Sequence, residues 1–141
     1  MMRYLGLDLG TTTCGVAISD KTNTLVSPLT LIKFKSEDYE DALKKLMDII
    51  NEKNITTVVL GLPKNMDNTM GFAAKRSLNF KDMLGKEGIK VIFEDERLTT
   101  VEAINIMKNN GVKKINEKNK TDIVSAVLIL EGYLKRCNND K

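Results

Sequence analysis

Apolar positions along this chain recur with two different periods, and the change from one to the other divides it. Arg3 to Leu9 (RYLGLDL) is a short apolar run with one charge near its end, the pattern of a buried strand. Gly10-Thr11-Thr12-Thr13 reads as a turn, Cys14 to Ser19 (CGVAIS) as a second strand, and Asp20-Lys21-Thr22-Asn23 as a second turn. Leu25 to Ile32 reads as a third strand, with Pro28 marking a sheet edge or a bulge. Tight turns join the three into an antiparallel meander. The period then becomes helical: Tyr39, Ala42, Leu43, Leu46, Met47 and Ile50 fall on one face, behind Glu37 and Asp38 in a first turn that favours acids. Thr57 to Leu60 (TVVL) is a short strand closed by Gly61-Leu62-Pro63. Met70 to Leu84 is a second helix whose end is bracketed by Gly85 and Gly88, and Ile89 to Phe93 is a fifth strand. Thr99-Thr100-Val101-Glu102 has the capping-box pattern and opens a third helix, ended by Asn109-Asn110-Gly111. After a polar, lysine-rich loop comes a last helix, Thr121 to Arg136. It is apolar on nearly every side (Ile123, Val124, Val127, Leu128, Ile129, Leu130, Leu134), which predicts a largely buried element. A meander followed by strand-helix alternation predicts an α/β fold: one domain over residues 1–141, with a mixed sheet flanked by helices.

Composition narrows the chemistry more than the fold. The 141 residues are 42% hydrophobic, enough to bury a core, and show no repeat or low-complexity tract. Met1-Met2-Arg3 leads straight into the first strand, without a signal-peptide pattern. No apolar run reaches the roughly 18 residues of a membrane span, so a cytoplasmic protein without a membrane partner is expected. Cys14 and Cys137 stand far apart with no ligand spacing, which argues against a disulfide framework or a zinc motif. Histidine is absent, and with it Ser-His and Cys-His triads, histidine general bases and histidine metal ligands. The formal charge of +3 permits a polyanionic partner without demanding one. Lys113, Lys114, Lys118 and Lys120 crowd one segment, and Lys75 and Arg76 another. Such clusters are either a binding surface or a solvated face.

Three acids then stand out. Asp8 lies near the end of an otherwise apolar strand, where a carboxylate is costly unless paired, hydrogen-bonded or metal-bound. Gly6, two residues back on the same side, leaves room above the sheet. The plainer reading is an Asp that caps the following turn. Glu94-Asp95-Glu96-Arg97 places three acids at a strand end, with Glu94 and Glu96 on one face and Asp95 on the other. They are either surface acids or ligands at the end of a sheet, where α/β proteins bind. Asp122 opens the last helix, where the dipole alone favours an acid. Taken together, Asp8, Glu96 and Asp122 form a hard oxygen set suited to Mg²⁺ or Mn²⁺. Such ions clamp the oxygens of a phosphodiester without any histidine. Gly61-Leu62-Pro63-Lys64-Asn65-Met66-Asp67 leads from a strand toward a helix, so Lys64 and Asn65 are candidates for seating a phosphate, or members of an ordinary loop. Met66 and Met70 read as packing residues.

These motifs, in order, resemble the YqgF (RuvX) family of pre-16S rRNA nucleases and Holliday-junction-resolvase-like proteins. The resemblance rests on Gly6-Leu7-Asp8-Leu9-Gly10, Gly15-Val16-Ala17-Ile18-Ser19-Asp20, Gly61 to Asp67, Asp95-Glu96-Arg97-Leu98-Thr99-Thr100, and Asp122 in an apolar C-terminal helix. It spans about Arg3 to about Leu134 and implies an RNase H-like fold with a five-stranded sheet. It also implies a cytoplasmic role in maturing the 5′ end of 16S rRNA, and Asp8, Glu96 and Asp122 as the catalytic, metal-holding acids, with Asp95 the rival of Glu96. Arg97, Lys64, Asn65, Lys113, Lys114, Lys118 and Lys120 would hold the nucleic-acid backbone, in a monomer or a homodimer. Thr12 and Thr13 stand where the family commonly carries a basic pair, and Asn68 where it commonly has Gly.

Three other readings remain open at this level. One is a resolvase of branched DNA. Another is an ATP-binding domain, because Asp8-Leu9-Gly10-Thr11-Thr12 also looks like the phosphate loop of the actin, heat-shock chaperone and sugar-kinase superfamily. Those proteins need two such lobes and this chain has length for one. The last is a non-catalytic nucleic-acid-binding or scaffold protein that keeps the fold.

Overall fold

The computed structural model of the chain describes residues 3–62, 72–95 and 117–139, and side chains within 3–62, 74–94 and 123–137. Five strands lie in this part: β1 (Tyr4–Leu9), β2 (Thr13–Ser19), β3 (Val26–Lys33), β4 (Thr57–Leu62) and β5 (Lys90–Asp95). Three helices accompany them: α1 (Tyr39–Lys53), α2 (Phe72–Lys86) and α3 (Glu117–Asn139). The strands form one mixed sheet in the order β3-β2-β1-β4-β5. β2 runs antiparallel to β1 and β3, while β1, β4 and β5 are parallel. The meander is therefore as expected, with β1 as the central strand.

Alternation along β1 divides the molecule. Leu5, Leu7 and Leu9 face one side, where they meet Cys14 and Val16 of β2, Val58 and Leu60 of β4, Ala42, Leu46 and Ile50 of α1, and Phe80 and Leu84 of α2. Tyr4, Gly6 and Asp8 face the other side, where Val59 packs on Ile129, Leu130 and Leu134 of α3. Helices thus cover both faces. A Cβ added at Gly6 would lie 2.6 Å from the Ala126 carbonyl oxygen and 2.8 Å from the Leu130 Cβ. The room expected above Gly6 is taken up by the backbone of α3, which only glycine admits so closely.

Several boundaries differ from the pattern-based expectation. Leu25 is 70% exposed and precedes β3, because it belongs to the hairpin connection held by Asp20. Pro28 sits on an edge strand among the described residues, beside a register shift between Val16 and Ala17, so both parts of that expectation hold. β4 continues through Gly61 and Leu62, since parallel pairing with Glu94 and Asp95 carries both strands further than their apolar runs. α2 passes through Gly85, and Gly88, at φ +81°, lies just beyond its end. α3 begins at Glu117, which puts Lys118 and Lys120 in a helix rather than a loop. Asp122 therefore lies in the second turn rather than the first. The segment EKNK has no apolar period to reveal it, yet Glu and Lys are good helix formers. α3 is also less enclosed than its composition predicts: Ile123, Val124, Val127 and Leu128 are half-buried, because only one side of a helix can press on a sheet. The helix expected from Thr99 to Gly111 lies outside the described residues. No helix among those described is long and apolar enough to cross a membrane.

Candidate active site

The site is built at the end of the sheet where β1, β4 and β5 all terminate. Leu7 pairs with Leu60, and Gly61 with Glu94, so the next row across the parallel strands is Asp8, Gly61, Glu94. On its other side Asp8 pairs with Gly15 of β2. The half-buried Asp8 is thus flanked in its own row by two glycines, Gly15 and Gly61. One row back, Gly6 lets α3 press on β1. Gly6 thus allows the close packing of α3, while Gly15 and Gly61 are the strand neighbours of Asp8.

Helix α3 runs antiparallel to β1. The Tyr4 and Tyr133 rings meet edge-to-face with centroids 5.9 Å apart, and Gly6, further along β1, meets Leu130 and Ala126. Position 122 is one turn beyond Ala126 in the same direction, which brings this part of the helix backbone toward the end of the sheet that carries Asp8.

On the opposite face, α2 reaches the same end. Arg76 Nη1 donates to the Leu9 carbonyl at 3.4 Å, and the buried Ser77 hydroxyl donates to the Gly61 carbonyl at 3.3 Å. This contact ties the Arg76 guanidinium to the last residue of the central strand, on the face opposite to Asp8. In the sequence Arg76 is only half of a charged pair. Helical periodicity on α2 could have pointed to it, but not the strand end it reaches.

The turn after β1 is tied into the meander. The Gly10 amide donates to the Thr13 carbonyl at 2.7 Å, while the Thr12 and Thr11 carbonyls accept from the amides of Phe34 and Glu37. The Gly10 amide is therefore committed within the turn instead of being presented to a nucleotide phosphate.

Of the acids singled out, Asp8 stands on the α3 face of the central strand, and Asp122 belongs to the backbone of α3. Asp95 is the last residue of β5, and Glu96 comes after it, outside the described residues, as do Lys64, Asn65, Arg97, Lys113 and Lys114. Glu94 is buried inside the strand rather than beyond its end, and its carboxylate accepts from Arg136 of α3. Among the described residues, no group of three or more Asp, Glu, Cys or His comes close enough to hold an ion.

The same build is found in T. thermophilus RuvC, solved in complex with a Holliday junction substrate. The two share a TM-score of 0.58 and 14% identity, over 97% of this chain and 96% of that one. Sheet order and helices on both faces define an RNase H-like fold. The chain belongs to the RuvX family: the family model, described as Holliday junction resolvase, matches residues 2–136. A relative from Agathobacter rectalis named "Putative pre-16S rRNA nuclease" is 39% identical over 142 residues, with 99% of each chain covered. A ROK family protein from Streptococcus pneumoniae TIGR4, solved in complex with sucrose, shares the fold at a TM-score of 0.52. That match takes in 77% of this chain but 39% of that protein, so this chain corresponds to part of it alone.

Proposed function

We propose that this chain is a metal-dependent endonuclease that trims the 5′ end of precursor 16S rRNA, with Asp8, Glu96 and Asp122 holding Mg²⁺ or Mn²⁺. The observation that carries the reading is the glycine-flanked Asp8, at the end of the sheet toward which β5 and the start of α3 also run. Carboxylate oxygens suit hard divalent ions, and Asp8 offers them near the strand end, where α/β sheets bind ligands. Such an ion, when bound, supplies Lewis-acid stabilisation and activation of the nucleophile, which no histidine in this chain provides. Asp8 would hold it from the central strand. Glu96 is preferred to Asp95 because strand alternation would put position 96 on the side of Asp8 and Glu94. Arg76 joins Lys64, Asn65, Arg97, Lys113, Lys114, Lys118 and Lys120 as donors to the nucleic-acid backbone. The RNA substrate is supported by the name of the Agathobacter rectalis relative. A branched-DNA substrate is the second reading, favoured by the description of the family.

The test uses purified protein with Mn²⁺ on two substrates, a 16S rRNA fragment with its 5′ extension and a four-way DNA junction. Cleavage of the first at the mature end, abolished in Asp8→Asn with an unchanged circular dichroism spectrum, is expected. Cleavage of the junction alone moves the assignment to the second reading. If neither substrate is cut, the enzymatic reading fails.

A further inference from the structure

Glu94 carries a buried charge that the site just described does not use. It is 6% exposed, and Arg136 Nη1 donates to its Oε1 in a short, charge-assisted contact. The other oxygen is seated against α3 at Gly132, where an added Cβ would lie 3.3 Å from Oε2. The pair is asymmetric: the Glu94 side chain is 7% exposed and that of Arg136 is 60% exposed. Strand and helix are thus joined by a carboxylate enclosed on one side and a guanidinium open to solvent on the other.

Both partners are connected through the backbone to candidate acids. β5 lies at the edge of the described sheet, paired with β4 alone, and Glu94 immediately precedes Asp95 and Glu96. Arg136 belongs to the same helix as Asp122. We infer that Glu94 and Arg136 form a latch that holds the end of β5 against α3, and so act as positioning residues that set the acid after β5 relative to the acid on α3. The part of this inference that concerns metal rests on the assignment of Asp8, Glu96 and Asp122.

Removing Arg136 leaves an enclosed carboxylate without compensation, and the end of β5 relieves it by moving toward water. Removing both charges leaves an amide with no such drive. Arg136→Met should therefore do more harm than the double variant Glu94→Gln/Arg136→Met, an order that simple loss of a contact does not produce.

The experiment reads amide hydrogen exchange at positions 93–95 and Mn²⁺ binding by calorimetry in wild type, Arg136→Met, Arg136→Lys, the double variant and Asp8→Asn. In Arg136→Met the β5 amides should exchange about tenfold faster while those of Leu5 and Leu7 hold, and Mn²⁺ should bind about tenfold more weakly. The double variant should return both to within about threefold of wild type, with Arg136→Lys between. Wild-type exchange at β5 in Arg136→Met overturns the latch. Faster exchange with unchanged Mn²⁺ affinity overturns its positioning role. If Asp8→Asn binds Mn²⁺ like wild type, the metal-site assignment fails instead, and the exchange data still judge the latch. Should Arg136→Met not fold, a folded double variant supports the latch and an unfolded one counts against it.

Discussion

At position 6 the helix α3 comes too close to β1 for any side chain. Gly6→Ala would drive a methyl into the Ala126 carbonyl and the Leu130 Cβ, and neither is the free end of a flexible chain. A loss of about 2–3 kcal/mol is expected, the cost of overpacking a core, seen as a thermal midpoint lower by several degrees. A midpoint within one or two degrees of wild type would show that α3 shifts at little cost. Asp8 and Gly6 are both legible in the sequence, because alternation within one strand is a local pattern. The glycines beside Asp8 are not: Gly15 and Gly61 are 7 and 53 residues away along the chain, and only strand register makes them its neighbours. Glu94 reads in sequence as one of three acids at a strand end for the same reason, since its burial comes from α3.

The β2–β3 hairpin shows how one side chain can organise a connection between elements. Asp20 accepts from the amides of Thr24 and Leu25 and from the hydroxyls of Thr22 and Thr24. The Thr24 amide, first among these, holds the carboxyl below its ordinary value of 3.8. The folded hairpin therefore binds this proton more weakly than the unfolded chain does. Its contribution is fully present above the ordinary carboxylate range and fades as pH falls through the lower folded value. Asp20→Asn should flatten the acid-side decline in thermal midpoint as pH falls below the ordinary carboxylate range, as followed by melts on the acid side. A decline as steep as in wild type would assign it to other carboxylates. In α1, the Asp38 side chain accepts from the Asp41 amide as the N-cap, and Asp38→Ala should cost about 1 kcal/mol in urea unfolding. A loss near zero would mean that water replaces the cap. Elements with an apolar period are legible to within a few residues, whereas the polar first turn of α3 is not. Periodicity detects the face that touches a core, and that turn carries no apolar residue to do so.

For the whole molecule, a net charge of +3 means that nucleic-acid affinity must come from local clusters rather than a global field. Raising salt from about 50 to 200 mM should raise KM for the nucleic-acid substrate several-fold and leave kcat nearly unchanged, because screening weakens phosphate contacts and not the chemistry. Insensitivity of KM to salt would remove the lysines and arginines from the binding surface. Arg76→Ala should raise KM without abolishing cleavage, while Arg76→Lys keeps part of the affinity. The fold class is readable from the residue pattern because each element announces its own period, and the order of the elements limits how they stack. The absence of histidine leaves the chemistry to carboxylates, Lys, Arg, Tyr, hydroxyls or backbone groups before any geometry is known. Tertiary structure decided what lies beside what: the glycines beside Asp8, Arg76 at the end of the central strand, the close approach of α3 at Gly6, and the Glu94–Arg136 pair. Each of these depends on register or packing between residues distant in the chain. A local pattern records which face a residue takes, whereas a contact depends on the partner that the completed fold brings to it.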